Sequence, residues 1–216
     1  MPASKPAPEL ASGPPNGTQD TQRDALRRAR IAAREALTPD EHRRLSQRIE
    51  THLAALLARH PPRILGFCWP YRAEFDCRPL MIRLLAADCT LRVCLPVVRT
   101  PELPMEFRAW TPHSAMQTDR YGIPHPAAGE PLSPDVLLMP VNAFDAQGYR
   151  LGYGAGYFDR TLAALAPPPL SIGIGFELAR IASIHPASHD IPLDAVVTEA
   201  GVSVFSPRIQ SLTRRE

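Results

Sequence analysis

Four glycines, Gly148, Gly152, Gly154 and Gly156, fall within nine residues. They are interleaved with Tyr149, Tyr153, Tyr157 and Phe158 and flanked by Arg150, Asp159 and Arg160. Glycine accepts φ > 0 and leaves room for close approach, so a glycine-dense loop can turn its N–H groups inward as an anion-binding concavity. Arginines at its two ends can add bidentate, permanently charged contacts to phosphate oxygens. The chemistry this pattern suits is phosphate binding. An ordinary surface loop, rich in turns and with aromatics packed on it, uses the same residue types. The loop is not of the Walker A kind, because no Gly-Lys-Ser/Thr follows, and its glycine spacing misses the dinucleotide G-x-G-x-x-G pattern.

Such a loop needs elements to hold it. Val136 to Val141 (VLLMPV) reads as the apolar strand that feeds it. From Tyr157 the chain reads as a helix whose positive N-terminal end faces the same anion and which ends at Pro167-Pro168-Pro169. Upstream, Thr21-x-x-Asp24 has the form of a capping box opening a helix through about Leu37. Thr38-Pro39-Asp40-Glu41 starts a second helix, with Leu45, Ile49, Leu53, Leu56 and Leu57 at helical spacing and Pro61-Pro62 as its end. Strands are expected at 63–69, Leu91 to Val98, Met105 to Trp110 and Ser171 to Glu177, with a helix from near Pro79. A helical stretch is expected after Glu177, then two short strands around a turn at Gly201. This alternation predicts an α/β fold: three α/β/α layers on a mainly parallel, open Rossmann-like sheet.

The chain of 216 residues suits one globular domain, here expected over 20–216. Residues 1–19 carry five prolines and almost no bulky apolar residue, which predicts a disordered tail. The tail lacks the apolar core of a secretory signal and the arginines of a transit peptide, so a cytoplasmic protein is expected. A net charge of +2 argues against a dedicated nucleic-acid binder, and no run of about 18 apolar residues calls for a membrane. Cys68, Cys77, Cys89 and Cys94 form no C-x-x-C pair and read as reduced and structural; the seven histidines show no ligand spacing. Lys5 is the only lysine, so a phosphate or carboxylate clamp in the folded part must use arginine.

Other candidates have two readings each. Glu74 follows a strand end, where open α/β folds place ligands, and a lone loop glutamate is also simply solvated. Arg23, Arg27, Arg28, Arg30 and Arg34 can form a solvated basic face. Tyr121 can fill a satellite core, and Asp190 can serve a turn.

The segment FDAQGYRLGYGAGYFDR resembles the signature F-D-x-x-G-x-R-L-G-x-G-x-G-Y-Y-D-R of the 5-formyltetrahydrofolate cyclo-ligase (methenyltetrahydrofolate synthetase) family, with Phe158 in place of a frequent tyrosine. Arg23-Asp24-Ala25-Leu26-Arg27 is similar to the family's opening K-x-x-L-R, with Arg23 where lysine is usual. Trp69 to Asp76 resembles W-P-Y-R-x-E-F-D, and Tyr121-Gly122-Ile123 resembles Y-G-I. The resemblance spans roughly residues 22 to 205. It implies that ATP meets Arg23, Arg27, Arg150, Leu151, Gly152, Tyr153, Gly154, Ala155, Gly156, Tyr157 and Phe158. It implies that folate meets Cys68, Glu74, Tyr121, Tyr153, Gly154 and Tyr157, that Arg150 and Tyr157 serve catalysis, and that Asp159 and Asp190 associate with Mg²⁺. Ala155 stands where many members carry a lysine.

The implied reaction converts ATP and 5-formyltetrahydrofolate to 5,10-methenyltetrahydrofolate, ADP and phosphate through a phosphorylated formyl (imidate) intermediate. Both nucleophiles belong to the substrates, so no Ser-His-Asp or Cys-His arrangement is needed. Two alternatives stand beside it: a nucleotide-dependent ligase or kinase acting on another amide, and a non-catalytic relative that sequesters folate or nucleotide. The expected partners are small molecules only, and a monomer is expected.

Overall fold

The computed structural model describes residues 17–210. In chain order the elements are α1 (Gly17–Glu35), α2 (Pro39–Arg59), β1 (Ile64–Gly66), α3 (Arg78–Ala87), β2 (Arg92–Val97) and β3 (Glu106–Ala109). A small hairpin β4 (Met116–Thr118) and β5 (Pro124–Pro126) follows, then β6 (Val136–Pro140), β7 (Ala143–Phe144), β8 (Arg150–Leu151) and α4 (Tyr157–Ala164). The chain closes with β9 (Leu170–Ile174), a 3₁₀ turn at Glu177–Ala179, β10 (Ala195–Thr198), β11 (Gly201–Val204) and α5 (Pro207–Gln210).

Seven strands form the main sheet in the order β11-β10-β9-β6-β1-β2-β3. The five inner strands run parallel, and β3 and β11 close the two edges antiparallel. Alternate side chains divide between two cores, as a pleated strand requires. Val136 and Leu138 of β6 enter a cluster with Ile49, Leu53, Leu56 and Leu57 of α2 and Leu80 and Met81 of α3. Leu137 and Met139 enter the opposite cluster with Leu162 of α4. Burial on both faces explains why β6 reads as an unbroken apolar run.

α2 begins as its sequence requires. Thr38 Oγ1 accepts from Glu41 N at 3.3 Å, and Glu41 Oε2 accepts from Thr38 N at 3.0 Å. The start of α1 differs from expectation. Thr21 lies inside the helix, its hydroxyl donating to Gly17 O at 2.7 Å, and residues 17–19, assigned above to the tail, are helical. Residues 1–16 lie outside the described residues.

The second face of the sheet is thinner than the first. The helix expected after Glu177 is one 3₁₀ turn followed by irregular backbone to Pro192. Pro186 and Pro192 break any helical ladder there, and His185 adopts φ 54°.

The strand order decides where a ligand belongs. From β1 the chain steps to β2 on one side and later to β6 on the other, so the direction of winding reverses between β1 and β6. Outside the carboxyl ends of those two strands an open α/β sheet leaves its crevice.

Candidate active site

The turn that leaves β1 brings Glu74 to that crevice. Arg72 and Ala73 both adopt positive φ, 49° and 56°, a conformation that side chains rarely occupy without surrounding constraint. α1 supplies the constraint: Glu35 takes the Arg72 guanidinium at 2.7 Å through each oxygen, and Arg34 Nε donates to Arg72 O at 2.9 Å. Glu74 is 7% exposed. Its Oε2 accepts from Tyr71 N at 3.0 Å and its Oε1 accepts from the Tyr153 hydroxyl at 2.8 Å. Burial pushes the Glu74 carboxyl above the usual carboxylate range, against the pull of the Tyr153 hydroxyl, the Arg34 charge and the Tyr71 N–H. Burial, with Glu74 beside it, also raises the Tyr153 hydroxyl. Cys68 lines a small pocket with Glu74, Phe75 and Pro140. Burial first, and Glu74 second, holds its thiol well above the ordinary range, so it is an inert apolar wall.

The glycine loop spans residues 152–156, between β8 and α4. Gly154 adopts φ +98°, and Gly156, the N-cap of α4, adopts φ +65°. Two arginines bracket the loop. Arg27 Nε donates to Gly152 O at 2.7 Å, and its guanidinium carbon lies 3.2 Å from where a Cβ on Gly154 would stand. Arg160 Nη2 donates to Ala155 O at 2.7 Å, and its Nη1 lies 2.8 Å from the corresponding point on Gly156. No acceptor among the described residues takes the amides of Tyr153, Gly154, Ala155 or Gly156. Four donors without an acceptor at a helix N-terminus, between two guanidinium groups, suit an anion.

Other predicted residues serve this loop from below. Arg150 is buried; its Nη1 donates to Ile191 O at 2.8 Å and its Nη2 to Asp159 Oδ1 at 3.1 Å. Burial lowers the guanidinium from its ordinary value, and Asp159 opposes that. Arg150 therefore props the loop's exit, with Nη1 and Nη2 both engaged by the protein itself. Leu151 is 1% exposed in a core with Ala143 and Ile184, so only its backbone can meet a ligand. Phe158 packs against the α4-side core. Tyr121, at the tip of the β4–β5 hairpin, meets Tyr157, the two hydroxyl oxygens standing 3.4 Å apart.

The two aspartates differ. Asp190 accepts from Arg23 through both oxygens, at 2.6 and 3.0 Å, and from Ala187 N at 2.7 Å. Burial pushes its carboxyl up, but the Arg23 and Ala187 hydrogen bonds outweigh it and leave the group below the usual aspartate value. Asp159 Oδ1 accepts from Arg150 and, at 3.1 Å, from Ile191 N, while its Oδ2 meets no donor among the described residues. No cluster of three His, Cys, Asp or Glu side chains able to hold a metal occurs among the described residues. Asp159 Oδ2 is thus a carboxylate oxygen open to a hard cation such as Mg²⁺, an ion that commonly keeps waters and takes few protein ligands. A site shared equally by Asp159 and Asp190 does not fit, since the oxygens of Asp190 are engaged.

Sequence reasoning missed Arg34 and Asn142. Arg34, 4% exposed, donates through Nη1 to Asn142 Oδ1 at 2.8 Å and through Nη2 to the Tyr153 hydroxyl at 3.1 Å. The signal was present in the spacing 23, 27, 30, 34, which places four arginines on one face of α1. That face turns inward, while Arg28 stays exposed.

A ligand crevice at the switch point of an open, mainly parallel sheet, with an anion loop at its lip, defines the class: an α/β enzyme acting on small molecules. A family model described as the 5-formyltetrahydrofolate cyclo-ligase family matches residues 19–199, and the chain belongs to that family. The 5-formyltetrahydrofolate cyclo-ligase of Escherichia coli (strain K12) is 31% identical over 180 residues, covering 78% of this chain and 96% of that protein. The NMR structure of Aquifex aeolicus 5,10-methenyltetrahydrofolate synthetase superposes with a TM-score of 0.72 at 28% identity, over 85% of this chain and 92% of that one. The Mycoplasma pneumoniae 5,10-methenyltetrahydrofolate synthetase shares the fold, with a TM-score of 0.67 at 24% identity over 82% of this chain and 98% of its own.

Proposed function

We propose that the chain cyclises 5-formyltetrahydrofolate to 5,10-methenyltetrahydrofolate, converting ATP to ADP and phosphate. The observation that carries the reading is the Tyr153–Glu74 hydrogen bond, which ties the anion loop to the carboxylate of the crevice. A carboxylate in a buried crevice is suited to accept from the N–H edge of a pterin ring, and the exposed rings of Tyr71 and Tyr153 offer apolar surface beside it. The free amides of the loop, with Arg27 and Arg160, suit the phosphates of ATP, and Arg160 stands in for the lysine that Ala155 replaces.

In this reading the formyl oxygen attacks the γ-phosphorus, the bond to the ADP oxygen breaks, and a phosphorylated imidate forms. N10 of the folate then attacks the activated carbon, loses its proton, and phosphate departs. The chain's own part is to align the two substrates and to balance charge on the phosphate oxygens with N–H groups and guanidinium ions. Asp159 would hold Mg²⁺, which when bound adds positive charge against those oxygens. Arg150 keeps Asp159 and the loop exit in place. The enzyme is proposed to work as a cytoplasmic monomer; no helix among the described residues is long and apolar enough to cross a membrane.

The test is the near-ultraviolet absorbance of the methenyl product, with purified protein, 5-formyltetrahydrofolate, Mg²⁺ and ATP. A rise that requires ATP and is lost in Gly154→Val supports the reading. Folate binding without a rise overturns it in favour of a sequestering relative; no folate binding overturns it in favour of another substrate.

A further inference from the structure

We propose that Arg34 is a positioning residue for folate: a buried guanidinium that supplies charge to Glu74 without occupying the carboxylate's acceptor sites. The inference rests on the assignment of Glu74 to folate given above.

The geometry is specific. Arg34 Nη2 stands 3.9 Å from Glu74 Oε1, within ion-pair range and beyond hydrogen-bond length. Three uncharged acceptors hold it there: Arg72 O at 2.9 Å, Asn142 Oδ1 at 2.8 Å and the Tyr153 hydroxyl at 3.1 Å. They come from the β1 exit, the β6 exit and the anion loop, so one side chain of α1 joins the three segments that form the crevice. The fork is fixed firmly enough to leave a polar atom orphaned. With its carbonyl turned to Arg34, Asn142 keeps a buried Nδ2 with no partner among the described residues. A buried donor left unpaired is unfavourable, so the contact that fixes the guanidinium is held against a cost.

The consequence is electrostatic. A carboxylate this buried drifts toward the neutral acid, which would present a donor where a pterin N–H edge needs an acceptor. A bidentate arginine would keep it ionised but take its lone pairs. An arginine held at 3.9 Å favours the ionised form and leaves them for the ligand. The other groups facing Glu74 are the Tyr153 hydroxyl, the Tyr71 N–H and the neutral thiols of Cys68 and Cys77. Arg34 alone among them brings positive charge.

The experiment compares wild type with Arg34→Gln and Arg34→Lys, measuring melting temperature, separate KM values for 5-formyltetrahydrofolate and ATP, and the pH dependence of the folate KM. Arg34→Gln is expected to raise the folate KM by about tenfold, the scale of one lost charge contact, while the ATP KM moves far less. Its acidic limb should shift to higher pH, because Glu74 then protonates more readily. Arg34→Lys should return the limb toward its wild-type position with only part of the affinity, since lysine keeps charge without the fork. Equal rises in both KM values with an unmoved limb would overturn the proposal, as would no change at all. If Arg34→Gln does not fold, Arg34→Lys decides: a limb at the wild-type position with a raised folate KM supports the proposal, and a displaced limb with equal loss for ATP overturns it. A wild-type protein that neither binds nor turns over the folate overturns this inference together with the reading beneath it, whereas wild-type turnover with an unselective Arg34→Gln overturns this inference alone.

Discussion

The hydroxyl of Tyr153 donates to Oε1 of Glu74 at 2.8 Å, joining a residue of the anion loop to one 79 positions earlier at the exit of the first strand. The glycine loop and the carboxylate of the crevice are therefore one hydrogen-bonded unit.

Tyr153→Phe removes that donor and leaves the ring. The expected cost is about 1 kcal/mol of folate binding, about a fivefold rise in the folate KM. Because the lost bond favoured the ionised carboxyl, the acidic limb of folate affinity should also move to higher pH. An unchanged folate KM and limb would show that the bond plays no part in ligand binding.

Gly154→Val places a β-branched side chain at φ +98° and against the Arg27 guanidinium. Left-handed backbone costs an ordinary residue about 1–2 kcal/mol, and the loop will relax by giving up its shape. ATP affinity should fall by about tenfold or more, read by nucleotide titration, with a melting temperature close to wild type because the loop is exposed. Undiminished ATP binding would move the anion site elsewhere.

Sequence alone revealed what depends on neighbours in the chain. The capping box at Thr38 and Glu41, the apolar strand β6 and the glycine loop before α4 each follow from contiguous residues. Partnerships did not. Arg23 meets Asp190 across 167 positions, and Arg34 meets Asn142 across 108; the spacing 23, 27, 30, 34 puts those arginines on one helix face, but nothing local names their partners. Asp190 read as a metal residue, yet its nearest cation in the fold is a side chain. The stretch after Glu177 read as helical, but it is one 3₁₀ turn, and Pro186 and Pro192 break any helical ladder beyond it.

Asp190→Asn tests the first of those partnerships. It leaves Arg23, largely buried, without its counter-ion, and should destabilise the fold by about 2 kcal/mol at neutral pH. The Asp190 carboxyl titrates below its unfolded value, so its stabilisation is complete above the ordinary aspartate range and is lost as pH falls through that range. The gap in melting temperature between wild type and variant should therefore narrow from neutral pH to roughly pH 3. A gap that stays constant would mean that the Arg23 pair adds nothing.

Asp159→Asn should raise the Mg²⁺ concentration needed for half-maximal turnover by about tenfold, while Asp190→Asn leaves it near the wild-type value. Equal increases in both variants would show that Asp190 exchanges Arg23 for the ion once nucleotide is bound.

The two long helices are attached by different forces. α2 buries Ile49, Leu53, Leu56 and Leu57 in the core, whereas the only apolar residue that α1 buries fully among the described residues is Ile31; Leu26 packs half-buried on the Ala143, Leu151 and Ile184 cluster, and Arg23, Arg27, Arg30 and Arg34 share that inward face. Salt weakens exposed and half-exposed ion pairs and leaves apolar burial intact or stronger. Of the pairs that tie α1 to the rest of the described fold, the half-exposed Glu35–Arg72 pair is open to that screening, whereas the Arg23–Asp190 pair is sheltered and Arg27, Arg30 and Arg34 hold neutral oxygens, so salt should loosen the turn at Arg72 and leave α1 seated.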